Sequence, residues 1–198
     1  MQTTIRTSTL KAALHCAAVR DARYYLNGAL FEFKHGDAPH INIVSTDGRR
    51  LSAFREPLEY IAEAQTADYG FIIPLDVLKQ AARAKTHSVV LESTPDGRYM
   101  LNNVVFAPID GKFPDYRRVI PTTFTGETAQ YQPEYLVDAK NALRDFYQIK
   151  SKGWLGTKLE QSGNNAGAVH CDKADAVIVI MPLRPDKEIG NYQGFAQD

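Results

Sequence analysis

Cysteine is scarce in this sequence: Cys16 and Cys171 are the only two among 198 residues. Two well-separated cysteines make no disulfide framework, so a reducing cytoplasm is the expected setting. Tryptophan is scarcer still, with Trp154 alone. Net charge is absent, because 23 basic side chains balance 23 acidic ones. A neutral chain does not coat nucleic acid indiscriminately, although a basic face on a neutral body stays open. Long apolar runs are also missing. The opening residues, MQTTIRTSTL, lack the apolar core of a signal peptide, and no stretch reaches the length of a bilayer span. Neither secretion nor membrane insertion is expected.

The usual marks of catalysis are thin as well. His15-Cys16 and His170-Cys171 offer ligand types for a metal, but no Cys-x-x-Cys spacing accompanies them. SGNNAG (162–167) is glycine-containing yet fits no phosphate loop and precedes no helix; it reads as a hairpin turn. Acids such as Asp110 and Asp115 are not spaced as a general acid–base pair. The expectation is therefore no catalytic residue, no metal, no cofactor and no enzyme. Trp154 is expected to open a strand and to pack.

What is present is a repeat. Hydrophobic residues make up 44% of the chain, enough for one core or two small ones. A short strand near residues 3–6 leads into TSTLKAALHCAAV, where Thr7 or Ser8 can cap a helix and Leu10, Ala13, Leu14, Ala17 and Ala18 form its apolar stripe. Two strand-like runs follow, then Asp47-Gly48 as a turn, then a third strand. The order returns with YGFIIP and the helix PLDVLKQAARA, with Pro74 at its start and Leu75, Leu78 and Ala82 on one face. It returns again with an extended TGETAQY and the helix PEYLVDAKNALRDF, where Leu136, Ala139 and Leu143 align, then WLGTKLEQ and the β-branched AVIVIMPL. The fold class is α+β, in units of strand, helix and three strands, with antiparallel sheets covering helices. Units one and two make a complete domain over 1–121. The third, over 122–185, is a half domain that must complete itself or pair with another chain. A tail, 186–198, follows.

Four motifs carry a resemblance: RYYLNG (23–28), TDGRRLS (46–52), GKFPDYRRVIP (111–121) and VIMPLR (179–184). In order and spacing they resemble the bacterial sliding clamp family, the beta subunit of the replicative DNA polymerase. Residues 3–122 resemble that family's middle domain, and 123–185 the second half of its last domain. The resemblance implies a processivity factor with helices lining a ring around duplex DNA and sheet on the outside. Partner proteins, DNA polymerase among them, would dock short peptides in an apolar pocket, and a homo-oligomer is implied as an option. A compact variant of this kind suggests a phage or prophage gene.

Residues follow from the same match. Candidate DNA contacts are Lys11, Arg20, Arg23, Tyr24, Lys79, Arg83, Lys85, Lys140 and Arg144. Cations on helix faces bind phosphate without reading sequence, and Tyr24 can stack on an unpaired base. Asp76, Asp138 and Asp145 on the same helices dilute the field, so any grip should be weak and salt-sensitive. The candidate peptide pocket draws Leu26, Thr46, Gly48, Arg50 and Leu51 from one segment, Pro114, Arg118 and Val119 from a second, and Val179, Met181, Pro182 and Leu183 from a third. Aliphatic and thioether surface suits a leucine or phenylalanine anchor. The tail carries Gln193 and Phe195, loosely like a docking peptide itself. The other reading is a clamp-derived interaction module that keeps the pocket without encircling DNA and regulates or competes with a replication clamp.

Overall fold

The computed structural model describes residues 1–58, 67–150 and 152–184; Gln193 and Phe195 lie outside them. The first unit is β1 (Gln2–Arg6), α1 (Thr7–Leu14), β2 (Gly28–Lys34), β3 (His40–Thr46) and β4 (Arg50–Pro57). The second is β5 (Tyr69–Pro74), α2 (Leu75–Ala81), β6 (Ser88–Ser93), β7 (Tyr99–Leu101) and β8 (Val104–Phe106). The third is α3 (Pro133–Phe146), β9 (Lys158–Ser162), β10 (Asn165–His170) and β11 (Ala176–Ile180). The α+β expectation holds, and the strands pair antiparallel in a four-stranded and a seven-stranded sheet.

The helices are copies at the level of chemistry. Each has leucine or threonine-leucine spacing that places Leu10, Leu78 and Leu136 at its fourth position and Ala13, Ala81 and Ala139 at its seventh. Leucine fills the groove against the sheet, and alanine three residues on lets the helix approach closely. The expected Thr7 or Ser8 cap is not formed. Arg6 occupies the cap position, and the Thr7 hydroxyl instead donates to the Thr86 carbonyl at 2.8 Å.

Units one and two exchange their first strands. β1 pairs with β6 of unit two, while β5 pairs with β2 of unit one. The third unit joins differently. Its β11 pairs with β4, with Val179 opposite Leu51, so the seven-stranded order is β5-β2-β3-β4-β11-β10-β9. One sheet thus crosses the expected 121/122 boundary. Its extended lead, 125–131, forms no strand; it is held by bonds such as Leu183 N–H to the Gln130 carbonyl at 2.7 Å.

Alternation along the strands gives the large sheet two apolar faces. Phe31, Phe33, Ile41, Ile43, Phe54 and Ile178 turn toward the helices, where Phe54 stacks on Phe146 at 4.8 Å. Leu30, Val44, Leu51, Ile72, Val177 and Val179 turn outward, where the connection through Phe113, Tyr116 and Ile120 covers them. Two expectations are corrected. Leu14 and Leu136 are only half-buried, because no further helix packs on their outer side among the described residues. Trp154 lies before β9 rather than in a strand and is 88% exposed, so it packs against no core.

Candidate functional site

The turn between β3 and β4 organises one concavity. Asp47 Oδ1 accepts the N–H groups of Arg49 and Arg50, each at 2.8 Å. Thr46 Oγ1 donates to the Arg50 carbonyl at 2.6 Å and accepts the Gly48 N–H at 3.0 Å. Gly48 sits at φ +85°, and a Cβ there would lie 2.8 Å from the Arg23 guanidinium. The positive φ favours glycine, whereas the Arg23 guanidinium, at the end of a long side chain, could move aside for a Cβ. Leu26 enters from the short 3-10 turn Tyr24–Leu26, and Met181 is fixed by its N–H to the Arg49 carbonyl at 2.9 Å.

The result is a cavity of about 200 Å³. It gathers Leu26, Thr46, Gly48, Arg50, Leu51, Pro114, Val119, Val179 and Met181 from four separate stretches of chain. Leu26, Leu51 and Val179 form a buried floor, while Val119 and Met181 stand 47% and 40% exposed at the mouth. Such a slot offers a desolvated floor and an accessible rim, the shape an apolar anchor requires.

Some expected residues are elsewhere. Arg118 projects into solvent and pairs with Asp115 at 3.0 Å, since the turn Tyr116–Arg118 directs Tyr116 rather than Arg118 at the sheet. Pro182 and Leu183 do not line the cavity, because the chain beyond Met181 runs toward Gln130. Conversely, Arg23, Arg49, Phe113, Asp115 and Tyr116 line it and were not assigned to it. Phe113 and Tyr116 stand three apart in FPDY, a spacing that places two rings on one side of a tight turn; that signal was available.

The rim is electrostatically tied down. Arg23, expected at DNA, is held by Asp21 at 2.8 and 3.0 Å and donates to the Asp47 carbonyl at 3.1 Å. Its charge is therefore matched within the loop. Arg50 binds Asp47 at 2.9 Å, pairs with Asp138 of α3, and lies over the Tyr135 ring at 4.6 Å. This links the cavity to the helix layer.

The helix layer carries its own depression, about 420 Å³, where Lys11, Arg83, Lys85 and Arg144 come together with His87 and Asp145. Lys11, Arg83 and Lys85 are exposed. Arg144 also has a structural part: its guanidinium donates to the carbonyls of Gly153 at 2.9 Å and of Lys150, closing the loop after α3. Asp145 accepts or shares a proton with His15 Nε2 at 2.9 Å, which ties α3 to α1. Lys79 is half-buried and Lys140 exposed, both outside this depression. Arg20 is exposed at φ 56°, and Tyr24 is 58% exposed, edge-on to Tyr25 at 5.6 Å. Cys16 is fully buried, and burial pushes its thiol up to about 12, which leaves it unreactive.

Repeated strand–helix–strand units with a helix layer backed by antiparallel sheet are the build of DNA clamps. Solved structures that share it include bacterial beta clamps. Caulobacter crescentus pol III beta superposes with a TM-score of 0.69 at 17% identity, over 93% of this chain and 66% of that one. The Helicobacter pylori beta clamp, solved bound to a DNA ligase peptide, gives 0.69 at 14% identity over 92% and 65%. In sequence, the chain is similar to the beta sliding clamp of Vibrio cholerae, 35% identical over 128 residues. That match takes in 62% of this chain and 33% of the relative. The beta sliding clamp of Salmonella typhimurium is 33% identical over 110 residues, 52% of this chain and 28% of its own. The chain thus spans about a third of the length of the curated relatives it matches. No protein-family model matches it. Among the described residues no helix is long and apolar enough to cross a membrane.

Proposed function

We propose that this chain is a sliding-clamp-like processivity factor, an accessory protein rather than an enzyme. It binds duplex DNA without reading sequence and docks short peptides of a DNA polymerase or another clamp-binding protein. The observation that supports this reading is the cavity between β4, β11 and the 110–121 connection. Its floor of Leu26, Leu51 and Val179 suits one or two apolar side chains, and buried anchors of that kind dominate peptide affinity. A solved relative that shares the fold, the Helicobacter pylori clamp, holds a peptide.

Calorimetry with a synthetic peptide carrying a Leu-Phe anchor tests it. Wild type should bind, and Met181→Asp should lose affinity several-fold, since it replaces apolar surface at the mouth with a carboxylate that the anchor must partly desolvate. Absence of binding to wild type would sink the docking half of the proposal. For DNA, affinity should be weak, alike for every sequence, and should fall as salt rises. Charge reversal at Lys11, Arg83 and Lys85 should weaken it further; equal affinity at low salt would remove the helix layer from consideration.

A second reading, an interaction module that docks peptides without encircling DNA, draws support from the same layer. Arg23 and Arg144 are engaged with other groups of the chain, and Asp145 faces the basic depression. Solution mass separates the two, because a closed ring built from this chain must be an oligomer.

A further inference from the structure

The outer wall of the cavity comes from residues 110–121, a stretch with no strand and a single 3-10 turn, Tyr116–Arg118. Its backbone bonds at that turn, Arg118 N–H to Asp115 and Val119 N–H to Tyr116, are internal. The polar ties described between this strap and the sheet end on one carboxylate. Tyr116 Oη donates to Glu32 Oε2 at 2.8 Å, and Arg117 Nη2 donates to the same oxygen at 2.5 Å. Asn42 Nδ2 adds a third bond at 3.0 Å from neighbouring β3, and Lys34 Nζ stands 3.5 Å from the other oxygen. Arg117 also lies over the Tyr116 ring at 4.5 Å, so the two donors brace each other.

Glu32 is on the outward face of β2 and is not among the residues lining the cavity. Tyr116 does line it and is 6% exposed. The same ring is therefore wall on one side and tether on the other. Burial pulls the Glu32 carboxyl upward, but the bonds from Arg117, Asn42 and Tyr116 outweigh it and bring it down to about 2.

We infer that Glu32 is the positioning residue of this cavity: by holding Tyr116 and Arg117 it pins the strap to the sheet and sets the width of the slot between Val119 and Val179. The nearest backbone pairing described is at the strap's base, Ile109 N–H to the Ile72 carbonyl at 3.0 Å, so once the carboxylate is gone the described hold on 115–120 is apolar contact. Apolar contact fixes depth but leaves lateral position loose, whereas two charge-assisted bonds to one oxygen fix both. This inference rests on the peptide-docking reading for its functional consequence, but not for its structural one.

The test compares wild type, Glu32→Ala, Glu32→Gln and Tyr116→Phe. Hydrogen exchange at the amides of 115–120 should rise about tenfold in Glu32→Ala, the scale of a lost charge-assisted bond, with β2 and β3 unchanged. Dissociation of the Leu-Phe peptide should accelerate by a similar factor of about ten. Glu32→Gln, which keeps an acceptor for Tyr116, should recover part of both effects. Adding Tyr116→Phe to Glu32→Ala should change little further, since the two act through one bond. Unchanged strap exchange in Glu32→Ala would overturn the inference. So would exchange rising equally through β2 and β3, which would make Glu32 an ordinary fold residue. If wild type binds no peptide, the docking reading fails, and strap exchange still decides the role of Glu32.

Discussion

The two faces of the seven-stranded sheet are covered by opposite means. The inner face meets three helices whose leucines and alanines recur at fixed positions, and its contacts are ring on ring and leucine on sheet. The outer face meets one irregular strap with two rings and a single carboxylate to hold it. Regular elements satisfy their own backbone, so they can cover a face completely. A strap does not, and where it stops covering, a cavity remains. The cavity is thus a consequence of the cheaper cover on that side.

Substitutions should separate the two faces. Phe54→Ala, on the inner face against Phe146, should cost about 3–5 kcal/mol in chemical denaturation. Leu51→Ala, on the outer face at the cavity floor, should cost about 2 kcal/mol, the lower end for leucine, because the site already borders open space. Equal costs would erase the distinction. Within the helix layer, Leu78→Ala should cost about 2–5 kcal/mol and Leu136→Ala roughly half of that or less, since Leu78 is fully buried and Leu136 is not. A larger loss at Leu136 would mean that its exposed side is covered in solution.

Acid should sharpen the contrast with the smallest effect. The Glu32 carboxyl lies at about 2 against an ordinary 4.5. A depressed folded value means that its contribution is complete above about 4.5 and is lost as pH falls toward 2. Strap amides should therefore exchange faster, relative to β2 and β3, across that window, and the Glu32→Gln variant should lack this pH dependence. Simultaneous loosening of both faces would show that the strap is not held separately.

The inner face was legible in the sequence because periodicity reports it. The α3 bounds were readable from PEYLVDAKNALRDF, with proline at the first turn. The residues that failed were those whose place depends on an irregular neighbour. Arg118 was assigned to the cavity and Tyr116 was not, although only the 3-10 turn decides which of them faces the sheet. Arg144 and Arg23 look like free cations in sequence, yet carbonyls engage the first and a carboxylate two residues away pairs with the second. Trp154 was read as a strand residue from its neighbours, but glycines at 153 and 156 flank it and β9 begins only at Lys158. Local pattern carries periodic burial; it does not carry which partner a long side chain finds.

The pairing of β4 with β11 has a consequence in time. β4 is made early in synthesis, and the strand that covers its edge is made near the end of the described chain. Until β11 docks, the edge from Arg50 to Phe54 lacks the neighbour it has in the finished sheet, and Val179 and Met181 are not yet beside Leu51. Contacts this distant in sequence form slowly, since the intervening loop must close first. A nascent chain released as far as unit two would have α1 and α2 with their cations, but a slot that still lacks Val179 and Met181. The complete lining of that cavity thereby exists only in molecules whose translation and folding have run through the third unit.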